Sequence, residues 1–336
     1  MAGAAAARGR LTNPITNGSG STIIGRPVVR GGPSIVLGRG AGQRVTVDRL
    51  PAMNAAWRLA HDAAAAAEVT LRPLTTLDDA DAIVGVMAAT WGEEMPRETV
   101  RALAGSGNVP WGAFDRDELI GYVLGWAAVD EDDGLHEHSH MLATLPERRH
   151  AGVGFALKLA QRASCLDRDI HLVRWTFDPL VARNAHLNVN KLGATCDRFH
   201  RDYYGQMPDA INAGDRSDRL VVRWRLDLEP HAPTRPNQAE PLVRSDGRAD
   251  APVPDVDAGV RDLIGSRRLG ERAVSVQIPV DHAGLRAADP SLGAAWRDAV
   301  GAALEACLTA GLAVVAFDPD REGGRPTYFL ARELPG

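Results

Sequence analysis

The stretch "LPERRHAGVGFALKLAQRA", residues 145–163, restricts this chain more than any other part of it. A proline ends an alternating apolar run and a basic knot follows. Glycines then stand at 152 and 154, where an alanine- and leucine-rich helix begins. Glycine tolerates backbone dihedrals that other residues avoid and has no Cβ, so a charged group can come close to the main chain there. The first turn of a helix offers N–H groups without intrahelical partners and carries partial positive charge. Strand, loop and helix together predict an anion-binding corner. Its donors are the amides of Ala151, Gly152, Val153, Gly154 and Phe155 and the side chains of Arg148, Arg149 and His150. The plainer alternative is that the two glycines only let the helix sit close to its strand. A Rossmann fingerprint needs three glycines and a later acid, and a P-loop needs Gly-Lys-Ser/Thr; this loop is neither.

Around the loop the sequence alternates between strand and helix patterns, which predicts an α/β fold with a mixed sheet. "VTLRPLT" reads as a strand, and Thr76 with Asp79 as a capping pair opening the helix "LDDADAIVGVMAATW". "PRETVRALAG" is a second helix with proline at its start. "PWGAFDR" and "ELIGYVLGWAAVD" form a hairpin, and "LHEHSHMLATL" is the strand that leads into the loop. After the loop helix come the strand "IHLVRWTFD", the helix "ARNAHLNVNKLG" and the strand "RLVVRWRL". Residues 1–66 are poor in acids, with Asp48 the first, and are expected to be a disordered tail or the product of a start called too early; an Arg-rich targeting peptide has the same composition. Residues 67–229 form the main domain. Residues 230–257 carry prolines 230, 233, 236, 241, 252 and 254 and are expected to be a linker. Residues 258–336 are a small α/β subdomain with the pattern strand, helix, strand, strand. No repeat of solenoid period is visible.

The totals exclude several classes. A net charge of −5 argues against a nucleic-acid binder, and no apolar run is long enough for a membrane span. Three widely spaced cysteines form no CxxC pair, which fits a reducing compartment, and the expected location is the cytoplasm. No metal site is expected.

With its neighbours, the loop resembles the acyl-CoA site of the GNAT superfamily of N-acetyltransferases. Arg149, Gly152 and Gly154 match its Gln/Arg-x-x-Gly-x-Gly/Ala signature, after Leu145 and Pro146. About 30 residues later, Asn184, Ala185, Lys191, Leu192 and Gly193 match parts of its second motif. The resemblance covers roughly residues 68–228. It implies an acetyl-CoA or other acyl-CoA co-substrate whose diphosphate lies on the amides of Ala151 to Phe155 with Arg149 and Arg148. The strand edge at Met141, Leu142 and Ala143 would bond the pantetheine, and Asn184 would touch its far end. The general-acid tyrosine of many relatives falls here at Val189.

Candidate catalytic groups follow from position. The strand "LHEHSH" puts His136, His138 and His140 on one face and Glu137 and Ser139 on the other. His138, His140 or Glu137 is a candidate base, and a HxHxH row also suits a metal. Asp178 is a second candidate base, or else a turn carboxylate before Pro179. Tyr203 or Tyr204 would replace the missing acid. Asn212, Arg216 and Arg219 are candidates for holding an acceptor carboxylate. The expected activity is N-acyl transfer, acetyl or succinyl, to a small amine such as an amino acid by direct attack in a ternary complex. A catalytically quiet acyl-CoA or amino-acid sensor is the alternative, and a nucleotide-binding enzyme is a third reading. The C-terminal unit caps the acceptor groove or makes a homodimer contact.

Overall fold

The computed structural model describes residues 50–92, 95–148, 151–207, 214–247, 251–254, 273–319 and 325–332. Helix α1 (Leu50–Ala66) leads into β1 (Thr70–Pro73), α2 (Leu77–Trp91) and α3 (Arg97–Gly105). Strands β2 (Trp111–Asp115), β3 (Glu118–Asp130) and β4 (Gly134–Thr144) precede α4 (Val153–Asp167). Next come β5 (Leu172–Phe177), a short α5 (Ala182–Ala185) running into a π-helical turn (His186–Lys191), β6 (Thr195–His200) and β7 (Arg219–Arg225). The C-terminal part holds β8 (Ala239–Ser245), β9 (Pro252–Pro254), β10 (Ala273–Gln277), α6 (His282–Ala288), α7 (Pro290–Thr309), β11 (Ala313–Asp318) and β12 (Thr327–Ala331).

The element starts follow the chemistry of their caps. Thr76 accepts from the Asp79 amide while Asp79 reaches back to the Thr76 amide, the reciprocal pair that satisfies two orphan donors of α2. Asp289 caps α7 by accepting from the Leu292 amide, with Pro290 at the first helical position.

All twelve strands among the described residues join one mixed sheet, ordered β1-β2-β3-β4-β5-β7-β6-β11-β12-β10-β8-β9. On one face α2 and α3 cover Phe114, Tyr122, Leu124 and Ala143. On the other, α4 covers Ile120 and Val123 and is itself backed by α1. Helix α1 falls within the residues expected to be a tail, and the structure corrects that boundary. Ala56, Ala60 and Ala64 recur every four residues and are buried, so a stripe of small side chains lets α1 lie against Leu159 and Ala160 of α4. Trp57 anchors the pair by donating to Asp167 over 2.9 Å. The rest of the expected tail, residues 1–49, lies outside the described residues.

The expected linker is corrected too. Leu242 and Val243 are fully buried, and their segment forms β8 between β10 and β9. Prolines remove ladder donors and so collect at bulges and edges. Pro241 sits next to a register shift in β10, and Pro252 and Pro254 lie in the edge strand β9. The C-terminal segment is therefore no separate layer. Trp296, Val300 and Leu304 of α7 share one core with Val173, Phe177 and Val222 of β5 and β7.

The sheet also repeats itself. Strands β5, β6 and β7 are ordered β5-β7-β6 with a helix between β5 and β6. Strands β10, β11 and β12 are ordered β10-β12-β11 with helices between β10 and β11. The two units meet edge to edge at Cys196 and Val314. Beyond them, β4 runs parallel to β5 as β8 runs parallel to β10, and β3 and β9 flank them antiparallel. One difference matters below. Strands β8 and β10 pair through four positions, and β4 and β5 through two.

Because α1 reaches α4 through alanines, Ala60→Leu should overpack the contact and cost about 1–3 kcal/mol in a denaturant melt. Leu59→Ala, on the outer side of the same helix, should stay within about 0.5 kcal/mol of the parent.

Candidate functional site

The site begins where β4 and β5 part. Their backbone pairing consists of Glu137↔Val173 and His138↔Arg174, after which the strands diverge. A bulge lies at the same place. Leu124 of β3 faces Met141 and Gly125 faces Ser139, so His140 is an extra residue. Gly125 is required there, because a Cβ would stand 2.6 Å from the His138 carbonyl oxygen and 2.7 Å from Glu137 Oε1. From Ser139 onward, the edge of β4 that faces β5 is a fork into which an extended chain with amide groups can insert.

The glycine loop stands at the wide end of this fork. Gly152 caps α4 with φ +86°, the left-handed region that favours glycine, and its carbonyl accepts from Phe155 and Ala156. The amides of Val153 and Gly154 precede those bonds and point out of the helix end. A Cβ on Gly154 would stand 3.7 Å from Leu142 Cδ2, over the β4 edge itself. Loop amides and strand edge therefore share one surface, which fits a diphosphate joined to an extended amide-bearing arm. Arg148 is engaged with Asp115 at 2.8 Å, so it would have to leave that partner to meet an anion. Arg149 and His150 lie outside the described residues. Ala151 is exposed, and Asn184 stands half-buried in the first turn after β5.

Two faces meet at the fork's apex. On the face away from α4, His138 and His140 both lie against Trp126, with ring centroids 4.9 and 4.8 Å away. Burial first, then His140, His136 and Lys158, lowers His138 to about 4, so its ring is neutral at pH 7. A neutral ring of that kind orients an amine or a water more readily than it keeps a proton. His136 turns away, with Nδ1 2.9 Å from the Gly134 carbonyl. Thr176 of β5 lies on the face shared by His138 and Arg174, and its hydroxyl is 3.1 Å from that of Tyr204. Tyr204 thus reaches the histidine face, whereas Tyr203 stacks on His200.

On the α4 face Glu137 is buried and held by Arg168 at 2.8 Å. It cannot serve an acceptor arriving beside the histidines, which corrects its candidacy as base. Lys158 is fully buried next to it, bonded to Ser139 and Gln161. The sequence reading assigned Lys158 no role. Its one signal was a lysine inside a helical stretch that is apolar nearly all round.

Asp178 is not free either. Arg297 of α7 grips both its oxygens, at 2.6 and 2.8 Å, and Arg297 also holds Asp215. Arg286 and His282 approach Asp215 at 3.1 and 3.7 Å. A bidentate clamp from a helix about 120 residues away leaves Asp178 a structural carboxylate, so the candidate base is corrected. Beside it a cavity of about 390 Å³ is lined by Asp178, Arg183, Asp215, Arg216, His282 and Arg297. Arg216 is shared between Asp218 and Asp298. Arg219 bonds the Asp218 carbonyl and stands 5.3 Å from the Tyr204 ring centre. Asn212 lies outside the described residues. Val189 is fully buried in the core, so that position presents no group to the fork.

Comparison with protein-family models found no match, and comparison with curated proteins found none. Among solved structures, the ribosomal-protein-S18-alanine N-acetyltransferase of Escherichia coli is similar at 15% identity and TM-score 0.39, over 47% of this chain and 94% of its own. The PaiA N-acetyltransferase of Thermoplasma acidophilum, in complex with coenzyme A, is similar at 14% identity and TM-score 0.33, over 47% and 98%. The neighbours are GNAT acetyltransferases. The likeness is one of fold, over about half of this chain. Among the described residues no helix is long and apolar enough to cross a membrane.

Removing the shared cation should expose the cost of the Asp178 cluster. Arg297→Met is expected to lose about 3 kcal/mol of unfolding free energy, because it strands two largely buried carboxylates. Adding Asp178→Asn should recover part of that loss in a double-mutant cycle.

Proposed function

We propose that this chain is an acyl-CoA-dependent N-acyltransferase acting on a small amine. The observation that carries this reading is the alignment of the β4–β5 fork with the glycine-started α4. Bound there, coenzyme A would supply a thioester at the apex. Amides of Ala151 to Gly154, with Arg149, would hold its diphosphate, the Phe155 amide being taken by the Gly152 carbonyl, and the edge at Met141, Leu142 and Ala143 would bond its pantetheine. Asn184 would meet the arm from the β5 side.

The acceptor would approach on the histidine face. Neutralising a lysine-like amine with pKa about 10.4 costs about 4.6 kcal/mol at pH 7, and an α-amino group near 8 only about 1.4. Neutral His138, with His140 beside it, suits the second kind of acceptor, as an amine orienter that passes the proton to water. Tyr204 and Arg219 flank the same face, and Arg219 is the better placed of the candidate carboxylate ligands. An amino acid or a similar small amine fits this set. The donor is acetyl-CoA or a larger acyl-CoA, succinyl-CoA included. The buried Val189 favours a second reading, a quiet acyl-CoA sensor, which predicts coenzyme A binding without thiol release for any amine.

Gly154→Glu tests the loop. A carboxylate in the first helical turn favours the helix, so the free variant should melt at or slightly above the parent temperature. The same charge opposes a diphosphate. Coenzyme A and acetyl-CoA should raise the melting temperature of the parent, following RT ln(1 + [L]/Kd), and leave the variant unmoved. An equal rise in both proteins would place the diphosphate elsewhere and remove the reading.

A further inference from the structure

Lys158 is a charge that the fold has no structural need to bury. Its Nζ donates to Ser139 Oγ and to Gln161 Oε1, each at 2.9 Å, and stands 3.6 Å from the centre of the Trp175 ring. Among the described residues no carboxylate lies within ion-pair distance of it. Glu137, facing it from β4, is given to Arg168. The other titratable neighbours are Cys165 and Arg168 at the end of α4 and His138 on β4. Trp224 of β7 closes the site at 5.8 Å. Burying an ammonium without a paired charge is costly, and a chain of like length and no charge would be neutral or stabilising. Burial pushes Lys158 down to about 7, against a smaller pull from Cys165 and Glu137.

Its place explains what the charge is for. Ser139 and Trp175 are the first residues of β4 and β5 beyond their last backbone pair, His138↔Arg174. Lys158 touches both, so it spans the fork at its apex from the α4 side. The apex is also where a thioester in the fork must meet an amine beside His138 and His140. Resting on the acyl-CoA reading above, we propose that Lys158 is the buried countercharge for the coenzyme A thiolate that acyl transfer releases. The amine nitrogen bonds to the thioester carbonyl carbon and the carbon–sulfur bond breaks. Its electron pair goes to sulfur, and the amine proton leaves by the histidine face to water. Lys158 gives up no proton; its ammonium favours the thiolate, and the thiolate in turn favours the ammonium. A leaving group stabilised in this way needs no acid at the position of Val189.

The test needs no acceptor. Coenzyme A bound to the parent protein is titrated by its ultraviolet thiolate absorbance, alongside Lys158→Met and Lys158→Gln. A free thiol ionises near 8.5. In the parent complex the sulfur should ionise at least about one pH unit lower, a tenfold gain in thiolate at fixed pH, and in both variants at or above the free value. Equal ionisation in parent and variants overturns the role of Lys158 while leaving the acyl-CoA reading intact. Failure of the parent to bind coenzyme A overturns both. Stability gives an independent measure. Lys158 binds its proton less tightly folded than unfolded, so the stability of the parent relative to Lys158→Met should rise from about pH 7 towards 10.5. A difference between parent and Lys158→Met that stays constant over this range would show that Lys158 is not a buried unpaired charge.

Discussion

The parting of β4 from β5 after two backbone pairs is the constraint on which the site depends. Buried peptide groups seek partners, and a strand edge left open inside a sheet is a binding surface. The fold holds the fork open with local devices that only make sense together. A bulge at His140 bends β4, and Gly125 makes room for that bend and for the Glu137 carboxylate. Lys158 then reaches both Ser139 and Trp175 from the α4 side. The glycine loop would be a helix end like many others without this fork. With it, the loop is the head of a track running to two histidines.

The repeated half of the sheet gives an internal comparison. Strands β8 and β10 stand where β4 and β5 stand, and pair through four positions with no fork. The same topology thus occurs once open and once closed. The closed copy completes the core through Trp296 and Leu304, and through Arg297 it clamps Asp178 and Asp215. Tyr328 adds a bond to the Pro179 carbonyl at 2.7 Å. The Arg297–Asp178 and Tyr328–Pro179 contacts bear on the segment between β5 and α5, so the C-terminal half braces the far wall of the fork.

Much of the fold was legible because local signals agreed with tertiary placement. The Thr76–Asp79 capping pair, the hairpin turn at Arg116 and Asp117, and the alternation of "LHEHSHMLATL" each point to the element that forms. Misreadings arose where composition was taken for structure. "NAAWRLAHDAAAAA" carries few large apolar residues, yet alanines at every fourth position pack well when the partner is the alanine-rich α4. The prolines around β8 suggested a linker, but prolines at a bulge and an edge do not prevent Leu242 and Val243 from being buried.

The sequence by itself determined the glycine-opened start of α4 after β4, since Gly152 and Gly154 at a strand-to-helix junction follow from local backbone geometry. It also determined the order of strands and helices from residue 68 to 193, missed β6 (Thr195–His200) before β7, and placed the histidines on one face of β4. Only the tertiary structure decided which polar side chains are available. Asp178 and Glu137 look free in sequence, and each is taken by an arginine, one from a helix more than a hundred residues away. Lys158, a lone lysine in a helix apolar nearly all round, is buried at the apex of the fork. Availability depends on partners brought in by long-range packing, and no local pattern encodes them.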